Sequence, residues 1–302
     1  MSVYTRKKNV SDLVFDIYIY ISLILLFIVT IYPFINVIAI SLNDAMDSNR
    51  GGIYFLPREF TLYNYKNILS TREIYFASLV SVSRTVLGTF TSLTATTLLA
   101  YILSKREFLY RKALTKFLVV TMYFNAGVIP VYMLFKYLGL INKFEVYIIP
   151  TLLYAMNVII IRTFIEGLPD SLSESAKIDG AGDLKILISI IIPLAKPALA
   201  TVALYIAVWH WNSWFDTYLY ASSNQNLSTL QYELMKKLRS ATQNLSGSVN
   251  PDYTAGQTEM QTITPQSIRA TMTIVATLPI LVVYPFLQKY FVSGLTLGGV
   301  KE

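Results

Sequence analysis

The chain has no cysteine, a single histidine and few charges, and each shortage removes a class of chemistry. Without cysteine among its 302 residues it has no disulfide, no thiolate nucleophile and no cysteine metal ligand. One histidine, His210, cannot assemble a multi-histidine metal site, so no metal is expected to be held by this chain. No phosphate loop of the type Gly, four residues, then Gly-Lys-Ser/Thr occurs, which leaves the chain without an ATPase site of its own. Charged residues make up 14% of the chain, against roughly 25% in soluble domains.

What replaces charge is apolar surface: 54% of residues are hydrophobic and the mean hydropathy is +0.50. These residues form long blocks rather than the periodic stripes of a soluble core, so the bilayer is the expected solvent. The net charge of +7 does not gather into one stripe but falls between the apolar blocks, which argues against a nucleic-acid partner.

Crossing a hydrocarbon core of roughly 30 Å takes about 20 apolar residues. Six stretches qualify or nearly so, at about 17–42, 75–104, 115–137, 146–165, 197–220 and 270–288. The expected fold class is therefore an all-α integral membrane protein of six transmembrane helices, and no internal repeat or soluble domain divides residues 1–302. The uncharged run from Ile17 to Asn43 is too long for a signal-peptide core and reads as a retained helix. Bases favour the cytoplasm. Arg6, Lys7 and Lys8 precede the first stretch, and Lys105, Arg106, Arg111, Lys112 and Lys116 follow the second, so both termini are expected inside. Residues 166–196 are then cytoplasmic, while 43–74 and 221–269 face out, the latter too polar to bury a core unaided.

Residues 168–197, LPDSLSESAKIDGAGDLKILISIIIPLAKP, carry the sharpest local signal. Ser171 and Glu174 have capping-box spacing. Gly180 can close the helix so begun, and Gly182 with Asp183 can open a second that runs to Ile192, where Pro193 breaks it.

At this point the chain resembles the permeases of binding-protein-dependent ABC importers, whose cytoplasmic loop has Glu-Ala-Ala, three residues, Gly, nine residues, then Ile, one residue and Leu-Pro. Glu174, Ser175, Ala176, Gly180, Ile190, Ile192 and Pro193 match that spacing, and Asp179 with Ala181 completes an Asp-Gly-Ala common in the sugar branch. Ser175 for Ala and Ile192 for Leu are mild departures. MYFNAGVIPVYMLFKYLGLIN at 122–142 and YPFLQKYFVSGLTLGGVKE at 284–302 extend the resemblance, which is nearest to the carbohydrate (maltose-type) branch and its lipoprotein-associated, aldouronate-type oligosaccharide permeases.

The resemblance implies half of a sugar pathway in the bacterial cell membrane, working by alternating access with a second permease, two ATP-binding cassette subunits that hold the ATP and Mg, and an extracellular solute-binding protein. It further implies that 166–196 is an ATPase-coupling loop, with Ala176, Gly180 and Ala181 for close packing, Glu174 for the cap and a charge pair, and Asp179 for a cap or partner contact.

Solute-pathway candidates come from polar and aromatic residues inside the apolar stretches. Trp209, Trp211, Asn212 and Trp214 cluster in VWHWNSWFDTYLY, although Trp and Tyr also gather at membrane interfaces. Asn125, near Gly127 and Pro130, sits where a helix can kink, and Asn157 should face other helices. His210 reads as a packed or interfacial histidine rather than a proton relay. Arg84, the one charge in the second block, can snorkel outward, pair with a partner or meet solute. Two other readings fit six apolar stretches: a non-transporting membrane partner, and an ion-coupled carrier, which would need embedded carboxylates; this reading assigns none to a span interior.

Overall fold

The computed structural model describes residues 10–246 and 264–297. Arg6, Lys7 and Lys8, residues 247–263 of the expected external loop, and residues 298–302 lie outside them. Among the described residues there is no β-strand, only an isolated antiparallel bridge between Asn43 and Phe60. The chain forms two compact units, one of residues up to Leu69 with Lys237–Val275, the other of Ser70–Lys236 with the residues from Ala276 on.

The first unit opens with α1 (Val10–Ser41), an apolar helix of 32 residues containing Pro33. Only 6% of its most apolar window is buried in the chain, so its surface must be covered by lipid or another protein. Next come α2 (Ala45–Asn49) and α3 (Tyr63–Leu69), held to the end of α1 by a polar knot around buried Asn43. Its Nδ2 donates to the Asp47 carboxylate at 2.9 Å, and its Oδ1 accepts from the backbone N–H groups of Arg58 at 2.7 Å and Glu59 at 2.9 Å.

The second unit is built on α4 (Arg72–Ser104). Its buried face runs Ile74, Ala77, Ser81, Arg84, Gly88, Ser92, Thr96 and Ala100, steps of three and four that set one stripe of small residues against its neighbours. After it come α5 (Arg111–Thr121), α6 (Val128–Tyr137), two 3₁₀ turns at Phe144–Tyr147 and Ile149–Thr151, and α7 (Ala155–Glu166). Then follow α8 (Asp170–Ile178), α9 (Asp183–Ile186), a π-helical turn at Leu187–Ile191, α10 (Ile192–Leu194), α11 (Lys196–Asn212) and α12 (Phe215–Tyr220). Two further helices, α13 (Leu230–Ser246) and α14 (Pro265–Leu297), contribute residues to both units. The core lies where α4, α7 and α11 meet, with Tyr101, Leu103, Val158, Ile161, Ile186, Val202 and Ile206 at its centre.

Six uninterrupted helices are not what these residues form. Among the described residues three helices are long and apolar enough to cross a membrane, Ser11–Ser41, Arg72–Ser104 and Pro265–Pro285; two bent pairs raise the number to five. The stretch at 115–137 splits into α5 and α6, because the Asn125 Oδ1 accepts from the Gly127 N–H at 2.9 Å and Gly127 takes φ 82°. At 146–165 the 3₁₀ turns, one carrying Pro150, meet α7 at 48°. In 197–220, α11 stops at Ser213, whose extended backbone (ψ 125°) ends the helical ladder before α12 begins.

The 221–269 segment, expected to be partly ordered at best, has a packed start. Leu230 and Leu234, four apart on α13, are buried, the Leu230 N–H donates to Ser81 Oγ on α4 at 2.8 Å, and Tyr147 donates to the Leu227 carbonyl at 2.7 Å. An amphipathic start to α13 was hidden in a segment whose average polarity is high.

Candidate functional site

The first candidate is the two-helix loop. Gly180 takes φ 78°, which a side chain resists, so the glycine closes α8. The Ala181 N–H donates to the Ala176 carbonyl at 2.9 Å and the Gly180 N–H to the Lys177 carbonyl at 3.0 Å, a Schellman closure. Gly182, in extended conformation, precedes α9. The expected capping box does not form. Pro169 takes the N-cap position with its fixed φ of −61°, so α8 begins at Asp170, and Ser171 lies inside the first turn, its carbonyl accepting from Ser175 Oγ. Glu174 is therefore not engaged as a cap and lies on the exposed side of α8.

Nor does the second helix stop at Pro193. It passes through the π turn and Pro193 to Leu194, and the chain then bends by 83° at Ala195 into α11. A π turn just before the proline relaxes the i→i−4 ladder where the ring has no N–H to offer.

Ala176 and Ala181 pack against this chain's own core, with Ile190 half-buried beside buried Ile186, Leu187 and Ile191. Ser175, Asp179, Gly180 and Pro193 are exposed. The outer face adds an apolar knob missed in the sequence: Ile178 is 87% exposed between Lys177 and Asp179, and Leu184 is exposed as well. An isoleucine among charges, out of phase with the inward Ala176, was the available signal.

The α4–α5 connection runs against this loop. Lys105 Nζ lies 3.4 Å from an Asp183 carboxylate oxygen, Arg106 is 3.4 Å from Asp170, and Lys177 is 3.7 Å from Glu107. The Tyr101 hydroxyl donates to Asp183 at 3.3 Å while its ring lies 4.4 Å from the Lys105 ammonium. Burial works against that ammonium, but the Tyr101 and Asp183 contacts outweigh it and hold Lys105 above its usual range.

The second candidate surrounds Arg84, which does not snorkel: it is 0% exposed. Its Nη2 pairs with Asp216 Oδ2, Nη1 donates to Asp216 Oδ1 at 3.2 Å and to the Ser213 carbonyl at 3.3 Å, and Nε donates to His210 Nδ1 at 3.4 Å. The guanidinium sits over the Tyr147 ring at 4.5 Å and the Trp209 ring at 5.6 Å. With Nδ1 accepting, His210 carries its proton on Nε2, and its ring is packed as expected. A Cβ on Gly88 would come within 2.3 Å of that ring, closer than packed atoms approach. Gly88→Ala should therefore lower stability by about 1–3 kcal/mol through overpacking, read as an earlier denaturation midpoint in detergent.

Asp216 corrects the reading that no span interior holds a carboxylate. It is the one acid between Asp183 and Glu233, as Arg84 is the one charge of its block, and two lone opposite charges in apolar stretches are a pairing signal. Tyr147 and Tyr154 were missed with it.

Only some pathway candidates converge. Trp209 stays on the exposed face of α11 with its ring against Tyr154 at 5.7 Å, and Asn212, three residues on, is exposed and accepts from Gln231 Nε2 at 3.3 Å. Trp211 instead donates through Nε1 to the Ala276 carbonyl at 2.8 Å, which ties α11 to α14. Trp214 is half-buried at the break, its ring against Phe215 at 5.7 Å. Asn125 is exposed at the break between α5 and α6, whereas Asn157 is on the buried face of α7.

Long apolar helices together with broken ones, an ion pair buried between apolar stretches and a glycine-closed two-helix loop fit a helical membrane transport subunit. No protein-family model matches the sequence. It is 38% identical over 290 residues to the polygalacturonan/rhamnogalacturonan transport system permease protein YtcP of Bacillus subtilis, covering 95% of this chain and 98% of that protein. With protein LplC of the same organism it shares 36% identity over 302 residues, 99% of each. Its structure superposes with a TM-score of 0.81, at 29% identity and over 95% of this chain and 100% of the other, on a chain from the crystal structure of a bacterial ABC transporter that imports the acidic polysaccharide alginate. The chain belongs to the permease subunits of carbohydrate ABC importers. It is a transporter subunit and not an enzyme.

Proposed function

We propose that this permease lines half of the route for an acidic oligosaccharide, a second permease forming the other half. The observation that carries this reading is the set of breaks at 122–127, 152–154 and 213–214 within apolar stretches. Irregular backbone at membrane depth leaves polar groups that lipid cannot satisfy, so such breaks persist only beneath other protein or along a watery cavity. At the first break Tyr123 and Phe124 are 83% and 79% exposed and α5 and α6 bury no residue, a surface that calls for a partner. Trp209 and Asn212 on one face of α11, with Asn125 at the first break, supply rings and amides to sugar. Arg84, fully buried against Asp216, leaves the solute-contacting set and serves the scaffold.

The substrate class rests on the relatives: one is a polygalacturonan/rhamnogalacturonan transport permease by its name, and the structural neighbour belongs to a transporter involved in the import of the acidic polysaccharide alginate. Both termini are taken as cytoplasmic, with the two-helix loop on the same side. There Glu174, Ser175, Ile178 and Asp179 face an ATPase subunit, while Ala176 and Ala181 hold the loop to its own core. Two such ATPase subunits bind the ATP and Mg, and an external receptor delivers the solute. Closure of the ATPases around ATP draws the loops together and opens the route outward; hydrolysis resets it.

The test is reconstitution of both permeases, the ATPases and the receptor in proteoliposomes. Receptor loaded with oligogalacturonate should raise ATP hydrolysis and uptake several-fold, and neutral oligosaccharide should not. Uptake by the permeases without the ATPases would sink the reading.

A further inference from the structure

Beneath the coupling loop, three consecutive residues, Lys105, Arg106 and Glu107, each meet the opposite charge on one segment: Asp183, Asp170 and Lys177. The partners do not follow one another in chain order, so the three pairs tie the two segments together at three separate points and fix their relative placement. We propose that the α4–α5 connection is a charge-paired collar that carries the movement of α8 into α4, and that Arg106, Glu107, Asp170 and Lys177 are positioning residues for coupling. This rests on the reading of α8 as the ATPase-facing helix.

Energetics favour a positioning role over a stabilising one. The Arg106–Asp170 and Lys177–Glu107 pairs are largely exposed, and such pairs contribute little to folding. Yet α8 buries none of its residues, and it is flanked by Gly167 with Pro169 on one side and Gly180 with Gly182 on the other. Only Ala176, Ala181 and Leu168 pack it on the core. A helix so lightly anchored would tilt when pushed at Ile178, and the push would be lost in the flanking turns. Lateral ties to a stiff neighbour prevent that tilt, and α4, a helix of 33 residues, is such a neighbour.

A cavity of about 490 Å³ lies between the two segments, lined by Tyr101, Lys105, Glu107, Arg111, Glu174 and Lys177 among others. The ties therefore bridge an open space and are not the by-product of close packing. Their far end is also informative: α4 carries Arg84, whose guanidinium holds Asp216 and the Ser213 carbonyl at the break between α11 and α12. Movement entering α4 at Lys105 thus has a rigid connection to the break that the proposed solute route uses.

The experiment measures solute taken up per ATP hydrolysed in the reconstituted full transporter. Glu107→Lys should lower that ratio by about fivefold or more, the scale of an ordinary coupling energy. Lys177→Glu should do the same, and the double variant Glu107→Lys/Lys177→Glu, with the pair restored in reverse, should regain most of it. Arg106→Asp with Asp170→Arg gives an independent second cycle. Thermal midpoints should stay near wild type throughout, which separates positioning from folding. Unchanged ratios in Glu107→Lys and Arg106→Asp, or double variants no better than singles, would overturn the collar. The underlying reading is tested apart from it: in this cysteine-free chain Ile178→Cys offers one thiol, expected to crosslink to an ATPase subunit. A crosslink with unchanged ratios removes the collar alone, whereas no crosslink in the assembled complex removes the ATPase-facing role of α8 and the collar with it.

Discussion

Arg84→Leu is expected to lower stability by about 3–5 kcal/mol, the loss that follows when one member of a buried ion pair is removed and the other stays behind without a counter-charge. Asp216 would keep its carboxylate largely buried without a counter-charge, the Tyr147 and Trp209 rings would lose the cation over their faces, and the Ser213 carbonyl and His210 Nδ1 would lose their donor at the same stroke. Asp216→Asn should be comparably severe, because it leaves the guanidinium unpaired where water does not reach it. Removing both charges, as in Arg84→Met/Asp216→Leu, should recover most of the loss, less about 1 kcal/mol for each polar group still missing a partner. Denaturation of the purified chain in detergent reads all three. Singles as stable as wild type would mean that water reaches the pair and that Arg84 belongs to the solute route after all.

Why this pair was not legible in advance is a matter of distance. Arg84 and Asp216 are 132 residues apart, so each looks like an isolated blemish in its own apolar block, and a single charge in the outer half of a block invites a snorkelling assignment. Only packing α4 on α11 brings the two together. Where the backbone is continuous the stretches and the helices overlap: 75–104 and 270–288 lie inside α4 and α14, and 17–42 overruns α1 by one residue. Hydropathy adds up composition over about 20 residues and is blind to whether the backbone carrying it is one helix or two. Hence Gly127, Pro150 and Ser213 interrupt the other three stretches without changing the sum that identified them. The loop shows the same division at finer scale. Gly180 was legible because its left-handed turn admits few other residues, whereas the Ser171–Glu174 spacing is satisfied by many sequences, and Pro169 displaces the helix start by two positions. The outward Ile178 could be assigned only once the inward side of α8 was known from Ala176.

Gly180→Arg is expected to abolish solute-stimulated ATP hydrolysis and uptake, by tenfold or more, in a chain that still folds and inserts. Two contributions can be separated. Any side chain at φ 78° carries a strain of about 1–2 kcal/mol, too little by itself to unfold a permease. A Cβ there would meet nothing within 4 Å in this chain, so the arginine has no clash to relieve and its side chain extends from the exposed surface of the loop. Gly180→Ala samples the strain alone and should keep most of the activity; the additional loss in Gly180→Arg then measures how closely another surface approaches. Glu174→Lys, on the exposed side of α8, adds charge reversal without backbone strain and should also lower turnover, though less. Equal activity in the alanine and arginine variants would mean that nothing docks against this turn, since a surface with no neighbour has no reason to distinguish a methyl group from a guanidinium.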